Sequence, residues 1–269
     1  MTNRKKLQPA ESAKSHYGHR LRKYRDKHGW SQPQFAEKVF CAGDLISKIE
    51  TGVKVATPDM SRRFDKIFNL DEEFEDLQAL AAEEVIPGWF RPYVEFERVA
   101  TSIRVFDPLH IPGLLQEEPY TRAILNSRYD GDKLEEAVSA RVARQAILHR
   151  KRPPWVLVLV SEWALRRPVG APEAHREQLG HLLDLARRLN ITIQVVPTSA
   201  KDFSPAAFTL FSHKEEPDSA YVDGVNGFGL SITQHEEVET LRVEFDLIRA
   251  SALSAEDSIE LIRAVMENP

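Results

Sequence analysis

Residues 31–52, SQPQFAEKVFCAGDLISKIETG, carry their chemistry in hydrogen-bonding side chains set at helical spacing. Asp44, Ser47 and Lys48 point out from a helix whose Ile46 and Ile49 face a core, so an acceptor, a hydroxyl and a cationic donor share the exposed surface. Gln32 opens the preceding helix, Gly43 lies at the start of the exposed one, and Lys54 follows just beyond it. This set pairs no nucleophile with a base; its chemistry is recognition. The rest of the chain is equally poor in catalytic signatures, with no G-x-S-x-G elbow, no P-loop and no G-x-G-x-x-G. The glycine-rich run 224–229 precedes a strand rather than a helix, so it reads as a hairpin turn. His16 and His19 stand three apart, but no Asp, Cys or further His is placed to complete a metal site. The expectation is a protein that is not an enzyme and that holds neither cofactor nor metal.

Charge points to the partner. Residues 1–66 hold 15 Lys+Arg against 7 Asp+Glu, and the remainder holds 21 against 34. A basic start joined to an acidic body fits a polyanion-binding module attached to something else. No apolar run approaches the roughly 18 residues that span a bilayer. The basic N-terminus is followed by no apolar segment, so no signal peptide is expected. The single cysteine, Cys41, excludes an internal disulfide framework and any CxxC site, and fits a reducing cytoplasm.

The elements that position these residues are legible in the pattern. From Tyr17 a helix places Leu21, Tyr24 and His28 on one side, with Arg20, Arg22, Lys23, Arg25 and Lys27 on the others, and Gly29 stops it. Ser31 with Gln34 makes a capping box for a second helix that buries Phe35, Ala36 and Val39. After a short connection a third helix runs from about Gly43 to Thr51-Gly52. Thr57 and Pro58 start a fourth, burying Met60, Phe64, Ile67 and Phe68, and a fifth carries Phe74, Leu77 and Leu80. Two short helices joined by a tight turn inside a bundle of about five form a helix-turn-helix architecture.

Ser31, Gln32, Ala36, Ile46, Ser47, Ile49, Glu50, Gly52 and Pro58 match, without a gap, the pattern of xenobiotic-response-element-type regulators, and the segment resembles that λ-repressor-like family. The resemblance implies that Ser47 and Lys48 face the major groove, that Gly43 lies near a phosphate and that Gln32 donates to one. It makes Lys54 a further phosphate contact, and the basic arm 4-RKK-6 a source of salt-sensitive attraction. Asp44 departs from this logic. It stabilises the first turn of its helix, or accepts from a cytosine amino group.

Beyond a short hinge at 83–88 the pattern becomes α/β. A helix over 91–102 is expected to bury Val94, Phe96 and Val99, followed by a strand at 103–106 and a helix from about Glu117. A long helix then covers Leu134 to Arg150. Residues 155–162, WVLVLVSE, read as a strand buried on both faces, His175 to Leu189 as an amphipathic helix, and 191–197 as a strand parallel to the first through a right-handed crossover. Three shorter strands and two helices complete a mixed sheet, the last helix capped by Ser254 with Asp257. Arg141, Arg144, Arg150, Lys151 and Arg152 read as a solvated helix face, or as a surface for an acidic partner. Gln116 and Tyr120 either line a pocket or cap and pack a helix; Glu162 is either a ligand contact or a polar anchor for Arg166 or Arg167.

Pro112–Gln116, Tyr120–Ala123, Arg141–Gln145 and Leu165–Gly170 resemble the second domain of the actinobacterial WhiJ-type, antitoxin-like regulators. The organisation expected is a basic flexible arm (1–16), a helix-turn-helix domain (17–84) and an α/β partner-binding, ligand-binding or dimerisation domain (88–269). The function expected is sequence-specific transcription regulation by a homodimer on operator DNA, cytoplasmic and associated with the nucleoid when bound. The alternative is an antitoxin-like protein that mainly binds a small neighbouring protein and binds DNA for autoregulation.

Overall fold

Ser12 starts the first helix four residues earlier than the apolar pattern implies: its Oγ accepts from the Ser15 backbone N–H at 3.0 Å, giving α1 (Ala13–Lys27) a side-chain cap. The computed structural model describes residues 12–85, 88–201, 204–224 and 228–267, so the 4-RKK-6 arm, positions 86–87 of the hinge and the centre of the 224–229 turn lie outside the described residues. After α1 come α2 (Gln32–Lys38), α3 (Gly43–Glu50), α4 (Pro58–Phe68) and α5 (Glu73–Val85). They enclose a core rich in rings, in which Tyr17, Phe35, Phe64 and Phe74 are fully buried with Leu21, Ile46 and Ile49. Several side chains depart from the expected faces: His28 and Leu80 are exposed, and Met60 and Ile67 are half-buried.

α1 and α3 pack closely because Gly18 has no side chain. A Cβ there would meet the carbonyl oxygens of Ile49 and Glu50 inside van der Waals distance. Alanine in mid-helix ordinarily gains roughly 0.5–1 kcal/mol over glycine. Here the sign should reverse, with Gly18→Ala costing about 1–3 kcal/mol through displacement of α3. A urea midpoint that rises rather than falls would contradict this packing.

α5 is started from another helix. Asp65 in α4, nearly fully buried, accepts from the backbone N–H groups of Phe74 (2.8 Å) and Glu75 (3.0 Å). It satisfies two of the four orphan donors that open any helix and so fixes the angle between α4 and α5.

The chain divides into two compact units, and the division is not the one expected at residue 88 alone. Residues 128–143, carrying α8 (Gly131–Ala143), cluster with the first five helices, and the second unit comprises 88–127 together with 144 onward. Glu136 of α8 pairs with Lys14 of α1 at 2.6 Å, both largely shielded. The expected long helix from Leu134 to Arg150 therefore breaks. It becomes α8 and then a 3₁₀ segment (Arg144–His149), whose tighter winding lets the adjacent Ile147 and Leu148 both be buried.

The second unit is a six-stranded mixed sheet in the order β3-β2-β1-β4-β5-β6. β1 (Ser102–Asp107), β2 (Trp155–Ser161) and β3 (Ile191–Val196) run parallel, with Ile103 opposite Val156 and Val158 opposite Ile193. β4 (Phe208–Ser212), β5 (Ser219–Asp223) and β6 (Gly229–Ile232) extend the sheet antiparallel from β1. Successive residues feed opposite faces. Ile103, Val105, Val158, Ile193 and Val195 enter one core, while Phe106, Leu159, Val196, Phe208 and Leu210 enter the other. The first face is covered by α6 (Arg91–Val99), α7 (Glu118–Leu125), α9 (Glu162–Arg166), α10 (Pro172–Leu185) and α12 (Ala255–Glu267), and the second by α11 (His235–Ala250).

Two boundaries moved for physical reasons. α10 stops at Leu185, leaving Leu189 95% exposed, because Val156 takes its ladder bond from the Asn190 carbonyl and β3 must begin at Ile191. α6 buries Tyr93 and Glu97, one turn apart, and leaves Val99 exposed; its inner face is set by an ion pair and not by the apolar periodicity.

Candidate nucleic-acid interface

The helix pair is built as its sequence implies. Ser31 and Gln34 form a reciprocal capping box at the start of α2. The turn passes through Phe40, whose φ of 54° lies in the left-handed region and whose ring is 86% exposed. α3 then buries Ile46 and Ile49, exposes Asp44, and leaves Ser47 and Lys48 half-exposed. Gly43 opens α3 in open space, so packing does not demand glycine there. Gly52, at φ 69°, ends α3 beside Ser15, and the N–H groups of Val53 and Lys54 both return to the Lys48 carbonyl. Lys54 is thereby held in the loop immediately after the helix.

Within α3, Lys48 Nζ donates to Asp44 Oδ2 at 3.1 Å, one turn apart on the surface. That hydrogen bond, with the charge behind it, holds the Asp44 carboxyl below its usual range, so the side chain is an anion at neutral pH. Ala42 offers no capping side chain, which leaves Asp44 as the acidic group in the first turn of α3.

Gln32 is turned inward. Its Nε2 donates to Glu50 Oε2 at 2.8 Å, and Glu50 is completely buried. The same carboxylate receives Arg25 through Nε (2.5 Å) and Nη2 (2.9 Å), with Arg22 Nε at 3.5 Å. Arg25 was expected among the solvated residues of α1. It is instead only 8% exposed, and its Nη1 donates to the Trp30 carbonyl at 2.6 Å and to Asp26. One carboxylate thus joins α1, the start of α2 and the end of α3, and fixes the angle at which α3 is presented.

The charge asymmetry resolves into helices. The basic excess ends at Lys66, and residues 67–87 add seven acidic and no basic residues, so positions 1–87 hold 15 Lys+Arg against 14 Asp+Glu. Part of the acidic α5 neutralises α1: Glu73 receives Arg20 and, at 2.8 Å, the Tyr24 hydroxyl. Lys38 lies over the Trp30 ring at 4.8 Å.

In the second unit, the three residues weighed between ligand contact and internal support are all engaged internally. Gln116 is 2% exposed; its Nε2 donates to the Ile111 carbonyl (2.7 Å) and its Oε1 accepts from Thr121 Oγ1 (3.1 Å). Tyr120 is wholly buried, its hydroxyl accepts from the Ile111 N–H at 3.4 Å, and burial pushes its pKa up to about 12. Glu162 accepts from Arg166 Nε (2.8 Å), one of the two arginines for which it could be an anchor, and from the Thr198 N–H (3.1 Å). The Arg166 hydrogen bond, aided by Thr198, lowers its pKa. Of the five basic residues read as a solvated face, Arg144 departs. It forks onto Glu97 at 2.8 and 2.7 Å with side chains 10% and 2% exposed, and its guanidinium carbon lies 5.1 Å from the Phe90 ring centre and 4.8 Å from that of Tyr93, two rings that stack on each other.

Residues 90–264, more than half of the chain, match the family model described as "Domain of unknown function (DUF5753)". The chain belongs to that family. Residues 16–77 match a second model, described as "Helix-turn-helix domain", which covers most of α1, all of α2 to α4 and the first part of α5. The first unit therefore contains a helix-turn-helix domain, the scaffold on which DNA-binding regulators are built. No curated protein and no solved structure matches the chain. Among the described residues, no helix is long and apolar enough to cross a membrane, and no group of three or more His, Cys, Asp and Glu is placed to hold a metal ion.

Sequence reasoning missed Arg25, Glu50 and Asp65 in the helix-turn-helix domain, and Glu97, Arg144 and Gln178 in the DUF5753 domain. Gln178, fully buried, donates to the Leu115 carbonyl (2.8 Å) and accepts from the Glu117 N–H (2.7 Å), tying α10 to the Pro-Gly-Leu-Leu-Gln loop. One signal was available for Glu50: it stands four residues, one turn, after the inward Ile46, which puts it on the same side of a short helix.

Proposed function

We propose that this protein is a sequence-specific DNA-binding transcriptional regulator of the WhiJ type. It acts by binding and not by catalysis, and its DUF5753 domain dimerises or receives a small protein partner or ligand. The observation that carries the reading is the presentation of α3: Asp44, Ser47 and Lys48 lie on its outer side, and its inner side is locked to α1 and α2 through Glu50. A helix fixed in this way presents its outer residues to a major groove in one register. Lys54 stands at its end as a phosphate contact, and Gln32, with its amide nitrogen on Glu50, acts by orienting the helix pair. In the DUF5753 domain, the internal hydrogen bonds of Gln116, Tyr120 and Glu162 support a scaffold role for these three residues.

Binding of the full chain to the DNA upstream of its own coding sequence tests the reading. Lys48→Ala should weaken binding to that DNA by about 1–3 kcal/mol while leaving binding to random duplex nearly unchanged. Equal weakening on every duplex would reduce Lys48 to a phosphate contact.

A further inference from the structure

The outer face of α3 carries an ion pair where a polyanion is to dock, and this pair has a shape that a base pair can match. Asp44 and Lys48 are 69% and 43% exposed, so each can reach a partner without the helix moving. Their charges cancel, so this pair gives no net attraction to phosphates. An exposed carboxylate in a groove lined by phosphates is repelled unless it accepts a hydrogen bond from a base. Asp44 Oδ2 and Lys48 Nζ are 3.1 Å apart. In a C·G pair, the cytosine N4 donor and the guanine O6 acceptor are bonded to each other and lie about 2.9 Å apart on the major-groove edge. An acceptor and a donor held 3.1 Å apart meet that edge atom for atom.

Resting on the regulator reading above, we propose that Asp44 and Lys48 act as one unit that reads a single C·G base pair in each half-site. Asp44 accepts from the free N4–H of cytosine. The Lys48 ammonium, with one of its three protons on Asp44, donates the other two to O6 and N7 of the guanine. The unit discriminates orientation, because a reversed pair exchanges donor and acceptor. It also discriminates against A·T. The adenine N6 donor is flanked by the N7 acceptor, which repels the carboxylate, and Lys48 finds the thymine methyl where guanine offers N7.

The test is enrichment of bound duplexes from a randomised pool by the full chain, followed by titration of single duplexes. Wild type should enrich a motif with one fixed C·G pair in each half-site, and changing that pair alone should weaken binding on the order of 10-fold. Asp44→Asn replaces an acceptor-only group by an amide that pairs with adenine N6 and N7, so this position alone should drift from C·G towards A·T. Lys48→Ala should lose preference at the same position and keep the rest of the motif. Both side chains are exposed, so far-UV circular dichroism should be unchanged in either variant. A motif unaffected at every position by Asp44→Asn overturns the paired readout while leaving the regulator reading intact. An equal rise in affinity for all duplexes with Asp44→Asn does the same, since Asp44 then only repels. If wild type enriches no motif, the regulator reading fails and this inference with it.

Discussion

Arg144→Ala should destabilise the DUF5753 domain by about 3–5 kcal/mol, the range measured when one partner of a buried ion pair is removed. The reason is what remains. Glu97, 2% exposed on the inner face of α6, loses both of its Arg144 hydrogen bonds, and the stacked rings of Phe90 and Tyr93 lose the cation beside them. Burial by itself would lower the Arg144 pKa, but the adjacent carboxylate outweighs it and holds the guanidinium above its ordinary value, so the cation is fixed. Arg144→Lys should recover part of the loss, because a point charge satisfies Glu97 without the two-pronged geometry or the flat contact with the rings. Chemical denaturation followed by tryptophan fluorescence measures both. A change below about 1 kcal/mol for Arg144→Ala would mean that Glu97 finds water or another donor and that the pair does not organise α6.

The second large effect lies in the helix-turn-helix domain. Arg25→Ala removes the principal partners of Glu50, a carboxylate with no exposure, and leaves it the Gln32 amide at 2.8 Å and Arg22 at 3.5 Å. The expected cost is again about 3–5 kcal/mol, with a fall in Tm of well over 10 °C for a domain of this size. Replacing both residues, Arg25→Met with Glu50→Leu, should restore most of that stability, because two apolar side chains leave no charge buried. It should not restore DNA binding, because Gln32 then has no carboxylate to hold it and α3 loses its tie to the start of α2. A single substitution that unfolds the domain and a double one that folds without binding would separate stability from presentation. Full DNA affinity in the double variant would show that apolar packing alone sets the angle of α3.

The sequence made the helices and parallel strands legible because local rules decide them. The Ser31–Gln34 box, Thr57 before Pro58 and the apolar run at 156–160 each fix an element within a few residues, and each is present in the structure. What escaped is the set of charged residues that turn inward. Arg25 and Glu50 are 25 positions apart, and Glu97 and Arg144 are 47 apart. Charged side chains are almost never fully buried unless paired, and nothing local in either member reveals the partner. The same limit hid the placement of α8, whose composition does not distinguish one unit from the other. For the candidate interface, the outward residues of α3 were readable from Ile46 and Ile49. The inward turn of Gln32 was not, because it depends on a carboxylate 18 positions away.

The central claim, that α3 reads bases from a helix-turn-helix domain of this chain, is tested most directly by affinity for the DNA upstream of its own coding sequence against random duplex, across a salt series. Sequence-selective binding should be tighter by about 10³-fold or more, with the ratio persisting as salt rises, because base contacts release few counterions. Equal affinity for both duplexes, falling together with salt, would contradict the claim and leave only electrostatic attachment.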